Sequence, residues 1–357
     1  MARQLDTPAA LNFPHAAPPE PGEPVEMAPG IFWLRLRLPY ALDHVNVWLL
    51  DDGPGWTLID TGLGDPETQA IWEAGFDRIL GGKPITRLIV THFHPDHIGL
   101  AGWITRRFGA PLWMSLSEWL FAQFHATPEN AATLDAGRAF YRSTGLDAEA
   151  VEQVIGRGHS YMKRTTRLDP TYRRLAAGDE IAIGGRRWRV LTGGGHSIEQ
   201  VMLYCAADKL FIPADQVIAK ISPNVSVWPF EPFANALGLY LTSLRDLRGI
   251  VAEDVLVLSS HNLPFYGLHT RIDQLIEHHA MRCGEIAQAC ADAALSGADL
   301  VPVLFRRTLD AHQTGFAIGE VVAHVNYMVE TGRLTREADG DGVWRYRTIA
   351  GAVEPPL

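Results

Sequence analysis

The alternation of apolar and polar positions changes period along this chain, and the changes predict strands and helices in turn. Short apolar runs at 31–36, 45–50 and 56–59 read as strands, the second closed by the turn Asp51-Asp52-Gly53-Pro54-Gly55. Residues 65–80 carry Ile71, Trp72, Phe76 and Ile79 at helical spacing. A buried-type strand at 87–90 leads to a helix at about 97–108 and a strand at 111–114. From 117 to 167 the pattern is helical and rich in large side chains such as Trp119, Phe121, Phe124, Phe140, Tyr141, Tyr161 and Met162. Strand signals return at 180–183, 188–191, 200–205 and 210–212. A helix at about 234–247, a strand at 255–258 and a long helix at 267–294 follow.

Two similar halves of alternating strands and helices predict a layered α/β domain, with sheets inside and helices outside. The end of the chain differs. Helices at 301–309 and 316–330 precede a hairpin, 335–338 with 343–348, turned by Asp339-Gly340-Asp341-Gly342. The expected organisation is a disordered or extended arm at 1–30, rich in Pro and Ala, and a main domain at 31–295. That domain carries a helical insertion at about 117–167, and a small winged-helix-like domain follows at 296–357.

Composition narrows the function classes. The 357 residues are 47% hydrophobic and 20% charged, with a net charge of −10. That balance suits a globular domain and argues against nucleic acid or anionic membrane as a general partner. Cys205, Cys283 and Cys290 are too few and scattered for a disulfide framework or a Cys-rich zinc site. No apolar run approaches the roughly 18 residues of a membrane span, and the arm has no secretory core. The expectation is a cytoplasmic protein with a small-molecule substrate; a homodimer is compatible with it.

The chemistry lies in His92-Phe93-His94-Pro95-Asp96-His97, just past the 87–90 strand. Imidazole and carboxylate donors without sulfur suit Zn²⁺, although iron or manganese would fit the same set. In an extended stretch His92 and His94 project to one side; a helix beginning near Asp96 turns Asp96 and His97 towards a second ion. Three further strand ends bear candidate ligands. Gly193-Gly194-Gly195 delivers His196, 210–212 leads to Asp215, and 255–258 leads to His261.

These residues make the chain similar to the metallo-β-lactamase superfamily, whose five motifs recur in order over about residues 31–290. Asp60 in Leu58-Ile59-Asp60-Thr61-Gly62 matches the first, the 92–97 cluster the second, His196 the third, Asp215 the fourth and His261 the fifth. The resemblance implies an αββα sandwich holding two metal ions. It puts His92, His94 and His196 on one ion, Asp96, His97 and His261 on the other, and Asp215 between them. Asp60 would orient a ligand. No Cys replaces a ligand, His94 is not Glu as in the oxygen-reducing branch, and His97 is present, unlike in single-zinc members. Val325-Asn326-Tyr327-Met328 and Gly332-Arg333-Leu334 look like the winged-helix extension of a hydrolase and endoribonuclease-like branch.

Two adjacent cations lower the pKa of a bridging water and supply hydroxide near neutral pH. The expected activity is a di-zinc hydrolase cleaving an ester, thioester or lactone bond, with Asp96 relaying the proton. The rival readings are a phosphodiesterase or endoribonuclease acting on single-stranded RNA, and a non-enzymatic metal or ligand sensor. In the first reading the insertion forms a lid over an apolar acyl group. His125, His159, Tyr161 and Tyr172 are then pocket candidates. The 221–225 segment, with Asn224, lines the site, and Lys220 meets a substrate carboxylate. His44 could edge the pocket, while His278 and His279 are read as non-catalytic.

Overall fold

A computed structural model of the chain describes residues 11–128, 131–156 and 161–352. Strands β1 (Val25–Ala28), β2 (Ile31–Arg37), β3 (His44–Asp51), β4 (Trp56–Ile59), β5 (Ile85–Ile89), β6 (Leu112–Met114) and β7 (Arg173–Arg174) form one sheet in chain order. Its first four strands are antiparallel and the rest parallel. Strands β8 (Glu180–Ile183), β9 (Arg186–Gly193), β10 (Gln200–Cys205), β11 (Leu210–Ala214) and β12 (Leu256–Ser259) form the second, ordered β12-β11-β10-β9-β8. Only the β11–β12 pair in it is parallel.

The side-chain alternation of a strand explains the layers. On β3, Val45, Val47 and Leu49 pack with Trp72 and Phe76 of helix α1 (Pro66–Leu80) and Ile104 of helix α3 (Ala101–Phe108). The intervening Trp48 and Leu50 pack against Trp188, Val190, Leu203 and Ile212 of the facing sheet. Both faces are covered, so residues 45–50 of β3 read as an apolar run interrupted at Asn46. The outer face of the second sheet buries Leu191, Met202, Phe211 and Val257. It packs on helices α7 (Ala236–Ile250) and α8 (Leu268–Ala289). The result is the αββα sandwich, each buried Leu or Val contributing about 1.5–3 kcal/mol.

Several elements differ from the sequence expectation. The end of the expected arm is strand β1, paired with β2. The helix expected at 97–108 is split into α2 (Pro95–Ile98) and α3. Thr61 takes backbone groups on both sides of the break, its N–H donating to His97 O and its hydroxyl oxygen accepting Leu100 N–H at 3.0 Å. A side chain at Gly99 would meet the backbone of Gly62 and Gly64, so only glycine permits this approach.

Among the described residues the insertion is helical to residue 155, as α4 (Leu116–His125), α5 (Ala131–Ser143) and α6 (Ala148–Ile155). Residues 161–167 instead run irregularly against the α2–α3 break, with Gly64 N–H donating to Arg164 O and Thr166 N–H to Gly99 O. Helix α4 faces the strand ends. Phe140 of α5 and Tyr141 lie in the same core as the tail, and Ala298 N–H donates to Thr144 O.

The tail holds α9 (Gly297–Leu304), α10 (Ala311–Glu330) and the hairpin β13 (Leu334–Ala338) with β14 (Trp344–Thr348). Both helices start earlier than expected because capping boxes, Ser296 with Asp299 and Asp310 with Gln313, satisfy their first amides. The tail shares its core with α7 and α8. All three cysteines are buried and unbridged. Among the described residues no helix is long and apolar enough to cross a membrane.

Candidate metal centre

Strand direction brings the candidate ligands to one edge. β4 and β5 are parallel, and β9, β11 and β12 run the same way as one another. Asp60, His92, His196, Asp215 and His261 therefore all follow the C-terminal ends of their strands. Two clamps join the sheets at this edge. Val201 N–H donates to Thr91 O at 2.8 Å, and the buried Asn46 side chain donates to Ser259 O at 3.0 Å and Asn262 O at 2.8 Å. Asp60 (φ 61°), Ala214 (φ 49°) and Asn262 (φ 64°) sit in the left-handed region beside these ligands. Asp and Asn tolerate that conformation, whereas Ala214 carries strain of order 1–3 kcal/mol where the chain turns Asp215 inward.

Three overlapping sets of side chains converge: His92, His94 and His196; His92, His97 and Asp215; and Asp96, His97 and His261. Within each set the ligand atoms lie within 4.8 Å of one another. Asp215 Oδ2 stands between the groups, 3.5 Å from His97 Nε2, 3.4 Å from His196 Nε2 and 3.3 Å from His261 Nε2. Asp96 Oδ2 is 3.7 Å from His97 Nε2 and 3.6 Å from His261 Nε2.

The far side of four rings is already engaged. His97 Nδ1 meets Asp60 Oδ2 at 2.8 Å, His196 Nδ1 meets Asn224 O at 2.8 Å, and His261 Nδ1 meets His44 O at 2.8 Å. His92 Nδ1 meets Thr91 Oγ1 at 2.9 Å, and that hydroxyl donates onward to Asp60 Oδ2 at 2.8 Å. An acceptor at Nδ1 fixes the proton there and leaves the Nε2 lone pair facing the centre. His92, His97 and His196 Nε2 and Asp215 Oδ1 are buried without a hydrogen-bond partner. Buried polar atoms left this way demand another partner, and a cation fits the donor set.

The electrostatics agree. Burial, with the neighbouring imidazoles, holds His92 and His94 well below the ordinary histidine range. Burial also works against charge on His97 and His261, but Asp215, Asp96 and, for His97, Asp60 outweigh it and raise both. Burial alone would raise Asp215; His261 and His97 instead hold it well below the usual carboxylate range. Carboxylates packed this densely call for positive charge.

The remaining sequence candidates fall in different places. Tyr161 donates its hydroxyl to Phe93 O at 2.9 Å, and its ring lies 5.4 Å from that of His125. His125 stacks on Phe93 at 5.2 Å, and burial lowers its pKa to about 4. Phe121, Phe124, Trp228 and Phe230 extend this aromatic wall, with Phe124 and Phe230 both more than two-fifths exposed.

Tyr172 stacks instead on Trp119 at 4.6 Å. His159 lies outside the described residues. Asn224 meets the site through its backbone carbonyl. The Lys220 ammonium lies over the Phe13 ring at 5.5 Å. His44 accepts the Asn262 amide at Nε2, 2.8 Å away, bracing the His261 loop. His278 and His279 are buried in α8, the second beside His324 of α10.

Buried Glu118 escapes sequence reasoning. The Glu118 carboxylate on α4 accepts Phe93 N–H at 2.9 Å, Glu199 N–H at 2.8 Å and the Ser197 hydroxyl at 2.7 Å. It thus ties the loop of His92 and His94 to that of His196. Its only sequence signal is position: Glu118 shares a helical face with Phe121, Ala122 and His125, so it falls on the apolar side of α4.

Comparison with known proteins follows the same lines. The sequence model of the metallo-β-lactamase superfamily matches residues 40–261, and that of the metallo-β-lactamase-like C-terminal domain matches 283–349. A β-lactamase domain protein from Burkholderia ambifaria is 43% identical, superposing with a TM-score of 0.89 over 95% of this chain and 98% of its own. A metallo-β-lactamase family protein from Thermus thermophilus is 26% identical, with a TM-score of 0.77 over 91% of this chain and all of its own (100%). The acyl-coenzyme A thioesterase MBLAC2 of Bos taurus is 28% identical over 195 residues, which are 53% of this chain and 63% of that relative. With one model spanning most of the chain and the ligand motifs inside it, the protein belongs to the metallo-β-lactamase superfamily of metallo-hydrolases.

Proposed function

We propose that the protein is a hydrolase that holds two zinc ions and cleaves a thioester or a related ester or lactone. The observation that carries this reading is the convergence of the His92, His97 and His196 Nε2 atoms with Asp215 Oδ1, all buried and unpartnered. His92, His94 and His196 would hold one ion, Asp96, His97 and His261 the other, and Asp215 would serve both. When bound, the pair would make a water nucleophilic near neutral pH and polarise the electrophile.

The chain's own residues do the rest. Asp60, Thr91, Asn224 and His44 fix the ligand rings, so that little reorganisation is needed as charge develops. Asp96 is partly exposed, its side chain 22% accessible, and can accept a proton and return it to the leaving group. The wall of Phe93, Phe121, Phe124, His125, Trp228 and Phe230 borders His94 and offers an apolar surface to an acyl group, with His125 neutral at pH 7. The thioesterase named among the relatives supports an acyl thioester as substrate.

The test combines metal analysis of the purified protein with turnover on acyl thioesters, lactones, simple esters and single-stranded RNA. Two zinc ions per chain and activity on the acyl panel are expected. RNA cleavage without acyl hydrolysis would replace this reading with the phosphodiesterase one. A dimetal protein inert towards every substrate would leave a sensor.

A further inference from the structure

The loop between β11 and α7 begins at Asp215, supplies the Asn224 carbonyl to His196, and carries Trp228 and Phe230 of the aromatic wall. It has no regular structure of its own over 224–234, so something else must set its path. Helix α10 of the tail does so at three points. The Asn224 side-chain amide donates to Glu320 Oε2 at 3.4 Å, while its Oδ1 accepts the Ser226 hydroxyl. Val227 N–H donates to Gly319 O at 3.1 Å. Two turns further on, Asn326 donates to Pro232 O and Ala234 O, both at 3.0 Å, and is itself braced by Arg336 of β13 at 3.0 Å.

The approach is close. A methyl group at Gly319 would stand 3.0 Å from Ser226 Cβ and Oγ and 3.2 Å from Val227 O. Glu320 is only 4% exposed, and its carboxylate accepts from the residue that orients His196 while lying in the field of buried Arg282 on α8. The Asn326 contact falls within the Val325–Met328 stretch that the sequence marks in the tail.

We propose that α10 is a working part of the metal centre, with Glu320 and Gly319 as positioning residues for His196 through the 224–227 loop. The proposal rests on the two-ion reading above. An acceptor at His196 Nδ1 aligns its Nε2, and losing such support typically lowers metal affinity about 10–100-fold. Because Asn224, the loop residue that Glu320 holds, meets the His196 ring, whereas His97 and His261 are backed by Asp60 and His44, the loss should fall on one ion of the pair.

The test titrates full-length wild-type, Glu320→Ala, Glu320→Gln and Gly319→Ala proteins with Co²⁺. Stepwise affinities come from chelator competition, the ligand-field spectrum is recorded, and thermal melting reports the fold. Glu320→Ala is expected to weaken one binding step about tenfold and to change the spectrum of that step only. Glu320→Gln keeps an acceptor oxygen and should restore the wild-type profile. A folded Glu320→Ala protein with both steps unchanged, or with both weakened equally, overturns the proposal. If that variant does not fold, Gly319→Ala decides by the same selective loss or its absence. Wild-type protein that binds no Co²⁺ would instead refute the two-ion reading itself.

Discussion

Glu118 Oε2 accepts the Phe93 amide at 2.9 Å, so a buried carboxylate on α4 holds the one residue that separates His92 from His94. Its other oxygen takes Glu199 N–H at 2.8 Å, and Ser197, next to His196, donates to both. Burial raises the Glu118 pKa, while these donors favour the ionised form. Replacing Glu118 with Gln turns an NH₂ towards an amide N–H and leaves a buried donor unsatisfied. Chemical denaturation should then register a loss of about 1–3 kcal/mol. A change below about 0.5 kcal/mol would mean that Glu118 does not tie the two loops.

Asp60 serves three donors: Thr91 N–H, the Thr91 hydroxyl and His97 Nδ1, each at 2.8 Å. Asp60→Ala removes the acceptor behind two rings, directly for His97 and through Thr91 for His92, and puts Ala at φ 61°. Zinc affinity, measured by chelator competition, should fall about 10–100-fold. Unchanged affinity in a folded variant would show that ring orientation is set elsewhere.

Asp96→Asn separates proton transfer from folding. The side chain is partly exposed and its Oδ2 stands 3.7 Å from His97 Nε2 and 3.6 Å from His261 Nε2, beyond hydrogen-bond distance, so the melting temperature should scarcely move. Turnover on the best acyl substrate should drop by at least about 100-fold, the scale of general acid–base contributions. Near-normal turnover with metal retained would remove Asp96 from the proton path.

The candidate donors that converge at the strand ends were legible in the sequence for a physical reason. A metal needs several donors of fixed type, and a short run such as His92–His97 concentrates them where the backbone turns from strand to helix. The sandwich was equally legible, because β3 and its neighbours are buried on both faces and read as largely apolar runs. Glu118, Asn46 and Glu320 were not. Each acts over a distance of 25 to 216 positions along the chain, as in the contacts Phe93–Glu118, Asn46–Asn262 and Asn224–Glu320, and a lone polar residue carries no local signature of such a partner. The break at Gly99 was hidden likewise, since its cause lies on the Thr61–Gly64 loop.

The aromatic wall predicts a dependence on acyl length. Trp228 stacks on Phe230 at 6.1 Å and lies 6.2 Å from Phe93, so it joins the ring beside His94 to the exposed Phe230. Specificity, as kcat/KM, should rise along a series of acyl thioesters, each methylene in an apolar pocket being worth about 1 kcal/mol or more. Trp228→Ala should flatten that rise and leave the acetyl ester nearly unaffected. An equal loss across the series would mean that Trp228 supports the fold and not the acyl group.

His324 predicts how stability responds to acid. Its Nδ1–H donates to Glu320 O at 2.8 Å, so Nε2 must accept from His279 Nδ1 at 3.1 Å. A proton on Nε2 would set two donors face to face, with the Arg282 guanidinium nearby. Burial, and to a lesser extent Arg282, lowers the His324 pKa from 6.5 to about 4. The folded value lies below the unfolded one, so the unfolded chain takes up the proton first. The stabilisation is therefore complete above about pH 6.5 and is lost progressively as the pH falls towards 4, amounting to about 2 kcal/mol at pH 5. His279, held down by burial and by His324, acts in the same direction. NMR titration of His324 should find it neutral at pH 5, and His324→Leu should make the pH 7-to-5 decline in unfolding free energy shallower while lowering its value at pH 7. A His324 pKa near 6.5 would remove this pair as a source of acid sensitivity.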